Sequence, residues 1–161
     1  MRYVMLTVIS FFCLILQDTL FNDFSVAGGK PDFLLIIVVF FAIFNGSRKG
    51  GFLGIILGLL EDLMLGRFIG VNALCKGLIG ACIGSFERQF YKNNFSVPIF
   101  GLLIGTFVNA GLYYIISRAI GSNIMFSGMM LSAIPNAIYN SCFAPLIYVL
   151  FYRWHNRDVS D

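Results

Sequence analysis

The apolar pattern of this chain is interrupted in residues 50–74, which read GGFLGIILGLLEDLMLGRFIGVNAL. The segment begins as a hydrophobic stretch with recurring glycines and then places Glu61 and Asp62 side by side. Its last part contains Gly66, Gly70 and Asn72. Two adjacent carboxylates in a hydrophobic segment are costly in lipid and are usually buried against protein. The segment therefore predicts a helix that packs closely against another part of the chain.

The glycines of this helix fall on one face. At about 100° per residue, Gly51, Gly54 and Gly58 lie together. The opposite face carries Leu53, Ile56, Leu60 and Leu63. A glycine face allows another backbone to approach closely, whereas an aliphatic face suits lipid. Glu61 and Asp62 flank the glycine face on either side, so both side chains can point towards protein.

Two interpretations of the acidic pair stay open from the sequence. In one, Glu61 and Asp62 form a buried polar contact with a neighbouring helix, and Lys76 is the obvious partner within the chain. In the other, the helix ends early and both carboxylates lie among lipid headgroups, close to Arg67.

The composition is that of an integral membrane protein. Of the 161 residues, 58% are hydrophobic and only 12% are charged, with a mean hydropathy of +0.85. Such values are typical of membrane proteins rather than of soluble cores. Polar stretches are too short for a separate soluble domain, so we expect one membrane domain over residues 1–161. The net charge of +3 is distributed by side of the membrane and does not indicate nucleic-acid binding.

Hydropathy divides the chain into six apolar segments. Their approximate bounds are 3–20, 32–45, 51–65, 72–86, 97–117 and 127–152. The first and the last two segments are long enough to span the hydrocarbon core, which needs about 20 residues. The three middle segments are shorter, so we expect their helices to tilt, to extend into the flanking residues or to be partly buried among their neighbours. The fold class predicted is an all-α bundle of six transmembrane helices.

The basic residues predict the orientation of this bundle. Three Lys or Arg residues fall in loops on one side, namely Lys30, Arg67 and Arg118. Seven fall on the other side: Arg2, Arg48, Lys49, Arg88, Lys92, Arg153 and Arg157. Because loops rich in Lys and Arg stay in the cytoplasm, both termini are expected there.

Two further segments have recognisable helix signals. Pro31 and Asp32 suit the first turn of the second helix, because proline lacks an N–H and a carboxylate is favourable at a positive helix end. In the last helix, Asn136 and Asn140 lie one turn apart, close to Pro135. Their amides either satisfy backbone groups freed by proline, which is the simpler interpretation, or bind a ligand.

The sequence favours a protein without enzymatic activity. It contains no HExxH motif, no serine with an available histidine base and no phosphate-binding glycine loop. Glu61 and Asp62 point about 100° apart, so they do not form a facing carboxylate pair. The four cysteines lie in apolar segments without CxxC spacing, which indicates small hydrophobic fillers rather than metal ligands. We expect no metal and no cofactor.

In order and spacing, several short motifs resemble the bacterial rod shape-determining protein MreD family. They are Pro31-Asp32 followed by Phe33-Leu34-Leu35, the basic turn at residues 46–50, Gly58-Leu59-Leu60-Glu61-Asp62 and residues 66–74, GRFIGVNAL. Family members look like PDLLL, a short basic loop, GLLxD and LGxNAL. Ile69 is a mild departure, since leucine is usual at that position.

This resemblance implies a non-enzymatic inner-membrane component of the elongation complex that maintains rod shape. It implies a direct partner, MreC, and membership of one complex with MreB filaments, RodA and the class B penicillin-binding protein that build lateral peptidoglycan. It also implies a fold similar to the substrate-binding subunits of energy-coupling-factor vitamin transporters. Within the motifs, Asp62 matches the aspartate of GLLxD, so its replacement is expected to matter more than that of Glu61.

A second function class is a small-molecule-binding membrane subunit of a transporter, which the related fold permits. Such subunits carry an alanine-spaced docking stripe on their first helix. Here that helix reads VMLTVISFFCLILQ over residues 4–17, without an alanine. The sequence therefore favours the interaction protein over the transporter subunit.

Overall fold

The computed structural model describes residues 2–20, 29–65, 68–86 and 96–157. All six elements of these residues are helices, which confirms the prediction of an all-helical chain with six helices. Their bounds are α1 Arg2–Leu20, α2 Phe33–Asn45, α3 Ser47–Leu65, α4 Val71–Ser85, α5 Ser96–Ala119 and α6 Phe126–Arg157.

Helix α2 is the centre of the bundle. Its residues from Leu34 to Phe44 are all buried, and it contacts each of the other five helices. The sequence FLLIIVVFFAIFN has no polar face, and a helix that is apolar all round must be surrounded on every side. The shortness of this segment therefore reflects burial within the bundle.

The connection between α2 and α3 is a single residue. Gly46 adopts φ +86°, donates its N–H to the carbonyl of Ala42 at 2.8 Å and accepts from the N–H of Gly50 at 2.9 Å. Arg48 and Lys49 consequently lie in the first turn of α3. The helix therefore begins four residues before the predicted apolar segment at residue 51, because the basic turn is part of the helix.

Helices α3 and α4 pack antiparallel with their backbones in close contact. A Cβ atom on Gly54 would overlap the carbonyl of Lys76, and one on Gly58 would overlap that of Asn72. Gly50 approaches the carbonyl of Gly80 in the same way, at 2.9 Å from an added Cβ. The paired positions advance by four residues on each helix. Gly51 also faces α4, with an added Cβ 3.2 Å from that of Ala81, so the glycine face of α3 is formed by Gly50, Gly51, Gly54 and Gly58.

One detail of the predicted packing was wrong. Leu53, assigned to the lipid face of α3, is buried in the core, and the exposed face instead carries Phe52, Ile55, Leu59 and Leu63. Gly51 faces α4 as predicted, but Gly50 also belongs to the glycine face, which extends the buried side of the helix towards Leu53.

By length and composition, one helix among the described residues could cross a membrane, the 21-residue stretch Ile99–Ala119 of α5. Three shorter apolar helices accompany it, Val8–Gln17, Phe33–Asn45 and Val71–Ser85. Six membrane spans, and both termini in the cytoplasm, stay predictions.

Candidate functional site

The site begins at the N-terminus of α2, where Asp32 is the N-cap residue. Its Oδ1 accepts a hydrogen bond from the N–H of Leu35 at 2.8 Å, the usual arrangement for a capping carboxylate. Pro31 precedes the cap and lies outside the helix, whereas the sequence suggested that it belongs to the first turn. The second carboxylate oxygen of Asp32 remains available for a partner from another helix.

That partner is Lys76, whose side chain is completely buried inside the bundle. Its Nζ lies 2.9 Å from Oδ2 of Asp32 and 2.5 Å from Oε2 of Glu61. Lys76 reaches both acids because α4 packs directly against the glycine face of α3 and also contacts α2. Buried charges are tolerated when they are paired and hydrogen-bonded. The amine thus joins the start of α2, the end of α3 and the first half of α4.

Asp62 has a different role from its neighbour, because it caps α4. Gly70, the N-cap residue of α4, has φ +101° and no side chain to bind the free N–H groups of the first turn. Asp62 supplies the missing acceptor: Oδ2 lies 2.8 Å from the N–H of Gly70 and 3.1 Å from that of Ala73. Oδ1 accepts from the backbone N–H of Asn72 at 3.1 Å and from its side-chain amide at 2.9 Å.

Two asparagines of α6 hold the segment that leads into α2. Oδ1 of Asn136 accepts from the N–H of Lys30 at 2.6 Å, and Oδ1 of Asn140 accepts from the N–H of Asp32 at 2.8 Å. The amide nitrogen of Asn140 donates to the hydroxyl of Thr106 on α5 at 3.0 Å. The two amides therefore bind another segment, and the simpler interpretation, in which they satisfy the proline-containing helix itself, was wrong.

Together these side chains form one polar cluster that connects five helices, α2 to α6. Its members are Asp32, Glu61, Asp62, Asn72, Lys76, Thr106 and Asn140. The sequence indicated most of these residues but not Thr106, because a single threonine in an apolar helix is not a distinctive signal. Gly66 and Arg67 lie outside the described residues. Glu61 and Asp62 are 7% and 2% exposed, so both are buried against protein.

A cavity of about 490 Å³ lies beside the polar cluster, at the end of the bundle where α2 begins and α3 ends. Its polar lining includes Asp32, Glu61, Asn72, Thr106, Asn109, Asn136 and Asn140. Its apolar lining includes Leu35, Leu65, Phe68, Ala110, Ile124 and Met129. Cavities of this volume are typical of small-molecule sites. Among the described residues, no group of three or more His, Cys, Asp or Glu side chains is placed to hold a metal ion.

The geometry predicts the consequence of replacing Asp62. Asp62→Ala removes the four contacts that cap α4 and leaves buried N–H groups without an acceptor, so we expect a loss of about 2 kcal/mol in the free energy of unfolding. Glu61→Gln should cost less, because the ammonium of Lys76 keeps its contact with Asp32. Denaturant unfolding of the detergent-solubilised chain measures both values. Equal losses for the two variants would contradict the capping role.

Comparison with known proteins gives one match. The model of the family described as "rod shape-determining protein MreD" matches residues 1–157 of this chain. Neither the curated proteins nor the solved structures contain a match. The expected likeness to the substrate-binding subunits of energy-coupling-factor transporters therefore stays a prediction.

Proposed function

Because this chain belongs to the MreD family of rod shape-determining proteins, the membrane proteins of the cell-shape machinery, we propose that it binds MreC as a non-enzymatic, multi-pass component of the elongation complex. In that role it helps to couple MreB filaments to RodA and the class B penicillin-binding protein that build lateral peptidoglycan. The observation that carries the proposal is the family match over nearly the whole chain.

The way the acidic side chains are used supports a structural rather than a catalytic role. Asp62 is saturated by hydrogen bonds from the start of α4, and Glu61 is bound to Lys76. A carboxylate held in this way orders helices instead of transferring a proton to a substrate. The buried charges thus serve to fix the arrangement of the bundle that a partner recognises.

The surface of the bundle supports recognition through helices. The exposed face of α3 carries Phe52, Ile55, Leu59 and Leu63, and α4 exposes Leu74 and Leu78. Large exposed apolar surfaces mark contact with a membrane or with another protein. Since α3 and α4 are held together by their glycine contacts, they present one rigid apolar surface to lipid and to a transmembrane partner.

Co-purification tests this proposal. The tagged chain is co-expressed with MreC and isolated in detergent, and we expect MreC to be retained. Asp62→Ala should retain at least about fivefold less MreC than Glu61→Gln. Loss of the cap in this variant should disorder the start of α4 and thereby change the packing of α3 and α4. A wild-type chain that never retains MreC would remove the proposed partner.

Cell shape provides a readout that does not depend on MreC binding. Depletion of the chain should convert rods to round cells, and wild-type chain supplied in trans should restore the rods. If shape is restored by a chain that fails to retain MreC, the shape function stands and the direct partner is another member of the complex.

The second candidate function is the small-molecule-binding subunit of a transporter. The cavity of about 490 Å³ favours it, whereas the first helix lacks the alanine stripe expected of such subunits. Purification together with an ATP-hydrolysing transporter module, in place of MreC, would establish this second function.

A further inference from the structure

The cavity beside the polar cluster has polar atoms without partners. Oδ1 of Asn109 is buried and has no hydrogen-bond partner in the structure. Lys76 donates to Oε2 of Glu61, and no described residue donates to the other carboxylate oxygen, Oε1. Both residues line the cavity. Oδ1 of Asn109 is the buried acceptor that lacks a donor, a state that costs about 1–3 kcal/mol, so the cavity favours an occupant that donates hydrogen bonds.

The charge of the cavity favours a cation. Three carboxylates belong to its described lining, those of Asp32, Glu61 and Asp62, and that lining includes no Lys, Arg or His. Lys76 lies behind the wall and compensates one of the three charges. The backbone N–H groups at the start of α4 stabilise Asp62. Among the described residues, one carboxylate charge of this lining therefore has no counter-ion.

The remaining wall is apolar. Leu35, Leu65, Ala110, Ile124 and Met129 contribute aliphatic surface, and Phe68 and Tyr113 contribute aromatic rings. Aromatic faces attract organic cations as well as apolar groups. Such a wall suits the hydrocarbon part of a ligand and disfavours a hydrated inorganic ion, which prefers a shell of oxygen ligands.

We propose that this cavity binds a small organic ammonium ion, with its N–H groups directed to Glu61 and Asn109 and its hydrocarbon part against Leu35, Phe68 and Met129. The proposal does not depend on whether the chain assembles with MreC. The ammonium is either that of a free amine or that of a lipid headgroup, because the same acceptors recognise both.

Hexylamine is the probe for the free amine, with hexanol and hexanoate as controls of equal chain length. Thermal unfolding of the detergent-solubilised chain is followed at increasing concentrations of each compound. Hexylamine should raise the Tm in a saturable manner, by about 4 °C at ten times its Kd. Hexanol and hexanoate should not, because neither places a cation at the carboxylates.

Asn109→Leu is the test variant and Asn45→Leu its matched control. Oδ1 of Asn109 accepts no hydrogen bond from the described residues, so replacement of this side chain should preserve folding while weakening hexylamine binding by at least about tenfold. Asn45 donates to the carbonyl of Phe41 at the far end of α2, away from the cavity. Asn45→Leu should therefore leave the Kd for hexylamine unchanged.

Native mass spectrometry distinguishes the two sources of the ammonium. The chain is incubated with phosphatidylethanolamine or, as a control without an amine, with phosphatidylglycerol. Selective retention of phosphatidylethanolamine that is lost in Asn109→Leu identifies a lipid ligand, and a response to hexylamine alone identifies a free amine.

Equal Tm shifts from hexylamine and hexanoate, equal affinities of the two asparagine variants, or the absence of any response would overturn the proposal. None of these outcomes affects MreC retention or cell shape, so the proposed function is tested separately.

Discussion

Lys76→Met is expected to lower the free energy of unfolding by about 4 kcal/mol, the largest loss among the substitutions considered. Methionine preserves the length and apolar stem of lysine but removes the ammonium. Asp32 and Glu61 are then left facing each other without the cation between them. Removal of one partner from a buried ion pair costs about 3–5 kcal/mol, because an uncompensated charge stays in a low-dielectric interior.

Lys49→Met is the control for this variant. Lys49 is exposed in the first turn of α3, so its replacement should change the stability by less than about 0.5 kcal/mol. A second variant, Lys76→Met combined with Glu61→Met, removes two of the three charges and should recover most of the loss. Denaturant unfolding in detergent measures all three. If Lys76→Met is as stable as Lys49→Met, the amine does not hold the bundle together.

Gly54→Ala is expected to lower the free energy of unfolding by about 3 kcal/mol. The added methyl group would overlap the carbonyl of Lys76 and lie 2.9 Å from the N atom of Gly77. These are backbone atoms, which cannot rotate away as a side chain does, so α3 and α4 must separate. Overpacking of this kind costs about 1–3 kcal/mol, and the separation also lengthens the contact between Lys76 and Glu61.

Gly111→Ala serves as the control, and its expected change in the free energy of unfolding has the opposite sign. An added Cβ on Gly111, in the middle of α5, meets no atom within 4 Å. Alanine is a better helix former than glycine by about 1 kcal/mol. This variant should therefore be as stable as the wild type or slightly more stable. A loss of stability shared by both variants would show that glycine at position 54 is not required for helix contact.

The sequence identified the helices better than it identified their contacts. Runs of apolar residues predicted six helices because hydropathy is a local property. Which residues of a helix face the core is harder to predict, since neighbouring residues point about 100° apart. Omitting Gly50 from the glycine face was enough to assign Leu53 to the wrong side.

Partners across the bundle were harder still to predict. Lys76 was proposed as a partner of the acidic pair, and the structure places it against Glu61 and Asp32, whereas Asp62 binds backbone N–H groups. Every residue type except proline carries a backbone N–H, so the sequence does not show which of these groups a carboxylate binds. The capping contact from Asp62 to Gly70 could therefore not be distinguished from an ion pair. For the same reason, the contacts from Asn136 and Asn140 to the segment before α2 were not predicted. Asn109 carried no sequence signal at all.

The glycine contacts between α3 and α4 leave the alignment of the two helices ambiguous. Gly50, Gly54 and Gly58 recur every four residues, so sliding α3 by one step, about 6 Å, would again place glycines against the opposing backbone. The charged side chains do not recur in this way. After such a slide Lys76 could no longer reach both Glu61 and Asp32, and Asp62 would miss the start of α4. The glycines thus permit several equally close alignments, and the acidic residues select one of them.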